Sequence, residues 1–453
     1  MDKQPNILFI TADQLRPDFL GCAGASWAST PNIDKLAQQG TRFTRCYTNS
    51  PVCAPARIAL ATGLRPHRLG AVDNMAFLPG SADTYYKRLR DNEYYVGSCG
   101  KLDLAKPDKF NGLKGDRPCN YTFGFTHPIE VEGKIHCGSS PTPIGPYTQY
   151  LHDKGKLKTL HEDYQNRNIF DARSSALDTE DFQDVYTGRR AVEWLDDRPT
   201  DYPYHLFVSF AGPHDPFDPP EEYSKMFEDA DIKPRVQDDG EGKPSRIHDR
   251  MKRSLKHDEE TFIHMRRQYA ASLKVVDDAI GKIIEAANSR DDDRDTYILF
   301  SADHGEMLGD HNLLIKHVAY EPSWGIPLII SGPGLPQGKV SNAMVELIDV
   351  GETVCDLAGL NRPDHIDAHS LLPLLKGKTE EHREYVLTEE RPFRAIATEK
   401  WKFIETYNDK NELYNLVDDP DELNNVIADH ADIARDLNRK MINGFMEGKW
   451  RRG

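Results

Sequence analysis

The chain has 453 residues, with 57 Lys and Arg against 73 Asp and Glu, a formal charge of −16 and 38 % hydrophobic content. That acidic balance, with no long Lys/Arg block, excludes general nucleic-acid binding, whose affinity comes from neutralising phosphates. No apolar run approaches the roughly 20 residues of a membrane-spanning helix, and the length suits one large α/β unit with a small appendage.

Met1-Asp2-Lys3-Gln4-Pro5 leads straight into Asn6-Ile7-Leu8-Phe9-Ile10, without the apolar stretch and small-residue cleavage site of a secretory leader. A cytoplasmic location is expected for the chain as it stands, or a periplasmic or secreted one if a leader has been removed. Asn6–Ala12 (NILFITA) is an apolar run closed by Asp13, the pattern of a buried parallel strand with an acid at its carboxyl end. Thr30-Pro31 opens a helix through Asn32-Ile33-Asp34-Lys35-Leu36-Ala37, with proline in the first turn. Residues 204–211 (YHLFVSFA) form a second such strand, which runs into Gly212-Pro213-His214-Asp215. Residues 269–288 carry Leu273, Val276, Ile280, Ile283 and Ile284 at helical spacing. Thr296–Ala302 is closed by Asp303, and residues 327–330 (PLII) read as a fourth parallel strand. Ligands collect at the carboxyl edge of open α/β sheets, so Asp13 and Asp303 are expected to converge on one site.

Two stretches break this rhythm. Residues 104–185 are rich in Gly, Pro, Lys and Tyr, and residues 228–260 are dense in charge; both read as surface insertions that line or cover a pocket. After Leu375 the pattern changes to short alternating segments parted by Asn408-Asp409-Lys410 and Asp418-Asp419-Pro420, then a helix over 428–444, which predicts a small antiparallel sheet. The expected fold class is α/β: a large, mostly parallel or mixed sheet sandwiched by helices over residues 1–375, with a small C-terminal antiparallel-sheet α+β subdomain over 376–453. The seven cysteines are odd in number and irregularly spaced, without a CxxC pair, a pattern of neither a disulfide framework nor a zinc site.

The most informative segment is Cys53-Ala54-Pro55-Ala56-Arg57, followed by Ile58-Ala59-Leu60-Ala61-Thr62-Gly63. A cysteine beside a proline at a helix start lies among free amide N–H groups that stabilise a thiolate or an anion, and Arg57, four residues on, faces the same side. The competing reading, a buried structural cysteine near a surface arginine, is the better one for this segment in isolation.

The pattern Cys-x-Pro-x-Arg with Thr-Gly downstream resembles the signature of the type I, formylglycine-dependent sulfatases of the alkaline phosphatase superfamily. The resemblance continues in NILFITADQ (6–14), in Thr30-Pro31-Asn32-Ile33-Asp34, in Ser301-Ala302-Asp303-His304-Gly305-Glu306 and in ELYNLVDDPDELNN (412–425). It implies that Cys53 is converted to formylglycine by a separate formylglycine-generating enzyme. One hydroxyl of the hydrated aldehyde attacks sulfur, and the other expels sulfate, so a trapped sulfated enzyme need not await water. It further implies a hard divalent cation, Ca²⁺ first and Mn²⁺ or Mg²⁺ as alternatives, at Asp13, Gln14, Cys53, Asp303 and His304. His304 stands where many relatives carry Asn. Arg57, Lys101, His214 and Lys316 match residues that bind the ester and help the leaving oxygen depart, as suits a proton-donating imidazole and charge-stabilising ammonium groups. His317 neighbours Lys316 and reads as a decoy.

Gly100-Lys101-Leu102-Asp103 departs from the commoner Gly-Lys-Trp-His. An acid at position 103 weakens the attraction for an oxyanion unless a cation pairs with it. The leading expectation is therefore a sulfuric-ester hydrolase acting on a sulfated saccharide or a small aryl or alkyl sulfate. The alternatives are a formylglycine-dependent phosphonate monoester or phosphodiester hydrolase and, from another class, a silent carbohydrate-binding relative. Trp27, Arg65, His67, Arg68, His127 and His136 are weaker pocket candidates, each of a type more often structural or merely exposed.

Overall fold

The computed structural model describes residues 3–447; Met1 and Asp2 of the N-terminal reading, and residues 448–453 of the expected C-terminal unit, lie outside them. The apolar runs become strands because a strand covered by helices on both faces tolerates no polar alternation. The strands are β1 (Asn6–Ala12), β2 (Gly40–Tyr47), β3 (Tyr95–Gly100), β4 (His127–Glu130), β5 (Tyr204–Phe210), β6 (Thr296–Ala302), β7 (Gly325–Ser331) and β8 (Lys339–Glu346). They form one sheet in the order β4-β3-β5-β1-β6-β7-β2-β8. β1, β5 and β7 are buried along their whole length.

Helices cover the sheet in two groups. The helices Gln183–Asp197 and Glu259–Asn288 pack on each other, as do Cys53–Thr62 and Leu347–Leu357; β3 touches both Gln183–Asp197 and Tyr85–Arg90. Helix Glu259–Asn288 begins ten residues before the predicted 269, because Asp258 caps it by accepting from the Thr261 N–H at 2.9 Å. Among the described residues no helix is long and apolar enough to cross a membrane, and all seven cysteines are free thiols.

Three expectations are corrected. β7 is antiparallel to both β6 and β2, not a fourth parallel strand. Residues 303–324 never cross back to the starting edge of the sheet; they fold over its carboxyl edge, where the Gly305 and Glu306 amides donate to the Ser323 and Pro322 carbonyls, so the chain re-enters from that edge. Residues 104–185 are not wholly a surface insertion. They supply β4, the edge strand parallel to β3, and a small core of Val131, Tyr147, Leu151, Leu157 and Leu160. Residues 228–260 do not line the cavity described below.

The C-terminal strands β9 (Val386–Glu390), β10 (Phe393–Ala397), β11 (Trp401–Thr406) and β12 (Glu412–Asn415) form an antiparallel sheet in the order β12-β11-β10-β9. Helix Ala431–Met446 lays Ala434, Leu437, Met441 and Phe445 against it at three- and four-residue spacing.

His205, fully buried in β5, is neutral by construction: its Nδ1–H donates to the Ile7 carbonyl at 3.2 Å and its Nε2 accepts from the Tyr85 hydroxyl at 3.3 Å. Burial pushes its imidazole down to about 3, against the Ile7 hydrogen bond that favours the charged form. The unfolded chain therefore binds a proton that the folded chain refuses between the ordinary histidine range and about pH 3, so this contribution to stability is present above pH ~6.5 and is lost as pH falls through that window. His205→Gln should flatten the acid limb of a urea-unfolding series across this window; an unchanged slope would place the acid sensitivity elsewhere.

Candidate active site

The carboxyl edge gathers the chemistry because its strands run the same way. Asp13 follows β1, Lys101 follows β3, His214 follows β5 by a short turn and Asp303 follows β6. Cys53 opens helix Cys53–Thr62, six residues after β2, and all of that helix is buried. The Ala54 N–H is taken by Asn74 Oδ1 at 3.1 Å. Residue 53 is described as the encoded cysteine, and its Sγ marks where the oxygens of a hydrated formylglycine would stand.

Ligand atoms of Asp13, Cys53, Asp303 and His304 lie within 4.8 Å of one another, and all four residues are buried. His304 Nδ1–H donates to the Gly305 carbonyl at 3.0 Å. Its Nε2 is thereby left as the lone-pair atom, 3.1 Å from Cys53 Sγ, 3.6 Å from Asp303 Oδ2 and 3.7 Å from Asp13 Oδ1. Burial opposes charge on this imidazole, but Asp303 and Cys53 lift it above its ordinary range. A positive charge at Nε2 is what the surroundings call for, and a divalent cation answers that demand as a proton does. Two carboxylates and one oriented imidazole fit a hard or borderline metal ion.

Gln14 enters differently from its neighbours. Its backbone is left-handed (φ 65) and its N–H donates to Asp303 Oδ1 at 3.0 Å. The amide oxygen accepts from Lys316 Nζ at 2.5 Å, while the amide nitrogen donates to Asp215 Oδ1 at 3.2 Å and to Glu306. The side chain thus bridges toward Lys316.

Cations surround the remaining side. Arg57 Nε donates to Asp303 Oδ2 at 2.8 Å, and its Nη1 to the Lys101 carbonyl and Ser209 Oγ, both at 2.7 Å. Lys101 Nζ is bonded to Asp13 Oδ2. Lys316 Nζ lies 3.4 Å from Cys53 Sγ and donates to His214 Nε2 at 2.6 Å, while His214 Nδ1–H donates to the Asp215 carbonyl at 2.7 Å. Burial and Cys53 push the Asp13 carboxyl up, but Lys101, His214 and Arg57 outweigh them and hold it below the usual carboxylate range. Burial likewise pushes the Cys53 thiol up, and Lys101, Lys106, Lys316 and His304 bring it well below its ordinary value. Residue 53 therefore sits in strongly positive potential.

A cavity of about 530 Å³ opens over Cys53, Lys101, His214 and Lys316. Its wall comes from residues 103–139, part of the first predicted insertion, and not from 228–260. Arg250 of the latter instead holds the back of the loop, donating to the Leu314, Lys316 and His317 carbonyls at 2.9, 2.6 and 3.1 Å. Of the six weaker candidates, His136 alone lines the cavity. Arg65 pairs with Glu346, His67 with Glu389 and Arg68 with Asp367; Trp27 packs on Phe19 and His127 near Trp194. His317 lines the cavity but turns its ring nitrogen to Glu390.

Sequence reasoning passed over Asp215, Glu306, Ser209 and Lys106. Asp215 and Glu306 adjoin motif residues, and Ser209 was marked by one hydroxyl in an apolar strand. Lys106 was marked by its three-residue spacing from Asp103. Asp103, whose charge was expected to oppose an oxyanion, is paired: its Oδ2 meets Lys106 Nζ and stands 3.2 Å from Lys101 Nζ. Burial raises its carboxyl, and these two ammonium groups bring it below the ordinary range.

Fold and site together define an α/β protein that presents a metal-donor set and a ring of cations to one buried residue at a helix start. The family model described as Sulfatase matches residues 5–360, and the one described as N-sulphoglucosamine sulphohydrolase, C-terminal, matches residues 309–446. The chain belongs to the sulfatase family and is a hydrolase of sulfuric ester bonds. It is 30 % identical to the choline-sulfatase of Rhizobium meliloti (strain 1021), over 92 % of this chain and 81 % of that one. It is 28 % identical to the arylsulfatase of Clostridium perfringens (strain 13 / Type A), over 98 % and 95 % of the two chains. The crystal structure of the phosphonate monoester hydrolase of Agrobacterium radiobacter superposes with a TM-score of 0.80 at 25 % identity, over 98 % of this chain and 96 % of that one.

Removing Arg57 leaves Asp303 buried without its closest cation. In the metal-free protein Arg57→Met should lower unfolding free energy by about 3–5 kcal/mol, the range for breaking a buried pair, as measured by chemical denaturation. Added divalent cation should restore part of that loss, whereas wild-type stability without metal would contradict the pairing.

Proposed function

We propose that this enzyme cleaves the sulfate ester of a saccharide or of a small aryl or alkyl alcohol, with residue 53 as formylglycine carrying the nucleophile. The observation behind this reading is the meeting of Cys53, the Asp13, Asp303 and His304 ligand atoms, and the Lys101 and Lys316 ammonium groups at one buried point. Maturation then requires a formylglycine-generating enzyme as partner. The modified residue supplies one hydroxyl to attack sulfur and a second whose ionisation releases sulfate.

Asp13, Asp303 and His304 would hold the metal, with Gln14 and residue 53 completing the set. Ca²⁺ suits the carboxylates, and Mn²⁺ or Mg²⁺ is the alternative that the imidazole admits. When bound, the ion supplies Lewis acidity that favours an ionised hydroxyl at residue 53 and negative charge on the transferring group. Arg57 helps keep Asp13 ionised and fixes Asp303 through its Nε hydrogen bond. Lys101 and Lys316 hold positive charge beside residue 53, where the non-bridging ester oxygens bind. His214 has Nδ1–H committed to the Asp215 carbonyl, so Nε2 accepts from the Lys316 ammonium, and the proton that reaches the leaving oxygen through Nε2 is one taken up from Lys316 Nζ. We assign these roles to residues 1–375 as the catalytic unit and 376–453 as a C-terminal subdomain, since every residue named precedes 375 and β9–β12 pair only among themselves.

A phosphonate monoester or phosphodiester hydrolase is the second reading, favoured by Asp103, by His304 and by the structural likeness reported above. An aryl sulfate and an aryl phosphonate monoester compared at equal concentration separate the two: faster turnover of the phosphonate would overturn the first.

Three outcomes are expected. Mass spectrometry of the tryptic peptide 46–57, from a host with formylglycine-generating machinery, should show an aldehyde at position 53, and an unmodified thiol would mean the signature is not read. Cys53→Ala should abolish turnover with an unchanged unfolding transition. Chelation should remove activity, as should Asp13→Ala and Asp303→Ala, with recovery on adding back Ca²⁺ to the wild type; full activity in a metal-free preparation would refute the ligand set.

A further inference from the structure

Six Lys and Arg side chains and four Asp and Glu side chains line the cavity over Cys53, a basic excess of two in a chain whose formal charge is −16. Some of its cations are committed to neighbouring acids: Arg117 grips Glu130 through Nε and Nη2 at 2.6 and 2.5 Å, and Lys134 meets Asp218 at 2.8 Å. Lys106 is held at the wall by Asp103, which also stands 3.2 Å from Lys101, while Lys101 is bonded in addition to Asp13. Others are not committed. Lys109 has no carboxylate at ion-pair distance among the described residues. The half-buried ring of His136 makes no hydrogen bond among them; burial, against Asp103 and together with Lys109, Lys106 and Arg117, pushes its imidazole below the ordinary range, so it offers an unused N–H rather than a charge. The field of Lys106 reaches Cys53 itself. Exposed Met75 and Ile135 stand on the same cavity and offer apolar contact.

We propose that Lys106, Lys109 and His136 form a second anion subsite, so that the favoured substrate is a sulfate ester bearing another negative group, a carboxylate or a second sulfate, on the same or the adjoining ring. The inference rests on the sulfatase reading. An anion there gains charge-assisted hydrogen bonds, and like-charge contact excludes sulfate esters of cationic alcohols. Asp103 is then a positioning residue. Its left-handed backbone (φ 54) turns the carboxylate between Lys101 and Lys106 and holds the second ammonium at the cavity wall.

The test compares kcat/KM on three sulfate esters: a sulfated uronic acid, a disulfated neutral sugar and an uncharged aryl sulfate. Wild-type enzyme should prefer one or both doubly anionic substrates, and Lys106→Met should reduce the ratio of doubly anionic to aryl kcat/KM by about tenfold, the scale of one lost charge-assisted bond. The change should fall in KM, His136→Ala should act in the same direction, and Lys106→Arg should recover most of the ratio. Preference for the uronate alone identifies the second group as a carboxylate, and preference for the disulfate alone as a sulfate. Equal wild-type rates on all three, or equal losses on all three in Lys106→Met, would overturn the subsite. If no sulfate ester turns over, the sulfatase reading has failed, and calorimetric titration with the desulfated uronic acid decides the subsite alone: binding weakened about tenfold by Lys106→Met upholds it, and no binding overturns it.

Discussion

The site depends on the burial of two carboxylates, Asp13 and Asp303, side by side at the carboxyl edge of the sheet. Neither can remain ionised out of water without a partner. Arg57 and Lys101 supply that partnership, Arg57 gripping Asp303 and Lys101 bonding Asp13. Arg57 lies one helical turn after Cys53, so the helix that presents residue 53 also neutralises the acids it faces. Strands β1, β3 and β6 and the helix Cys53–Thr62 are thereby locked to one another through charge as well as packing. The geometry around residue 53 follows from that lock.

The same economy explains the segment between β6 and β7. Residues 303–324 leave the sheet carrying His304 and return carrying Lys316, and the reversal is held by backbone bonds to Ser323 and Pro322 and by Glu306, which accepts from the Leu308 and Ile315 amides. Arg250 braces the loop from outside, and His317 ties it to Glu390 of the C-terminal sheet. An antiparallel β7 is the topological consequence of keeping this loop on the site. Gln14 then links the metal-donor side to the Lys316 side through its two amide atoms.

The cavity wall gives the position-103 departure a physical account. An isolated acid there would repel an anionic ester; a shared acid between two lysines instead organises positive charge. The sulfatase relationship accounts for the chemistry at residue 53. The lysines and His136 around the opening bear on which sulfate esters reach it.

Much of this was legible in the sequence because it depends on local signals. Strands buried on both faces must be apolar throughout, so β1, β5 and β6 and the acids closing β1 and β6 stand out, as do the helix start at Cys53-Ala-Pro and the short alternating strands after residue 375. The sequence by itself thus determined the sheet's main strands, the convergence of Asp13 with Asp303, and the helix start that carries Cys53. The direction of β7, the place of β4 at the sheet edge, the partner of the Gln14 amide and the sharing of Asp103 between Lys101 and Lys106 were decided only by the tertiary structure. Each depends on which segments, tens or hundreds of residues apart, meet at one edge, and neither periodicity nor spacing along the chain carries that information.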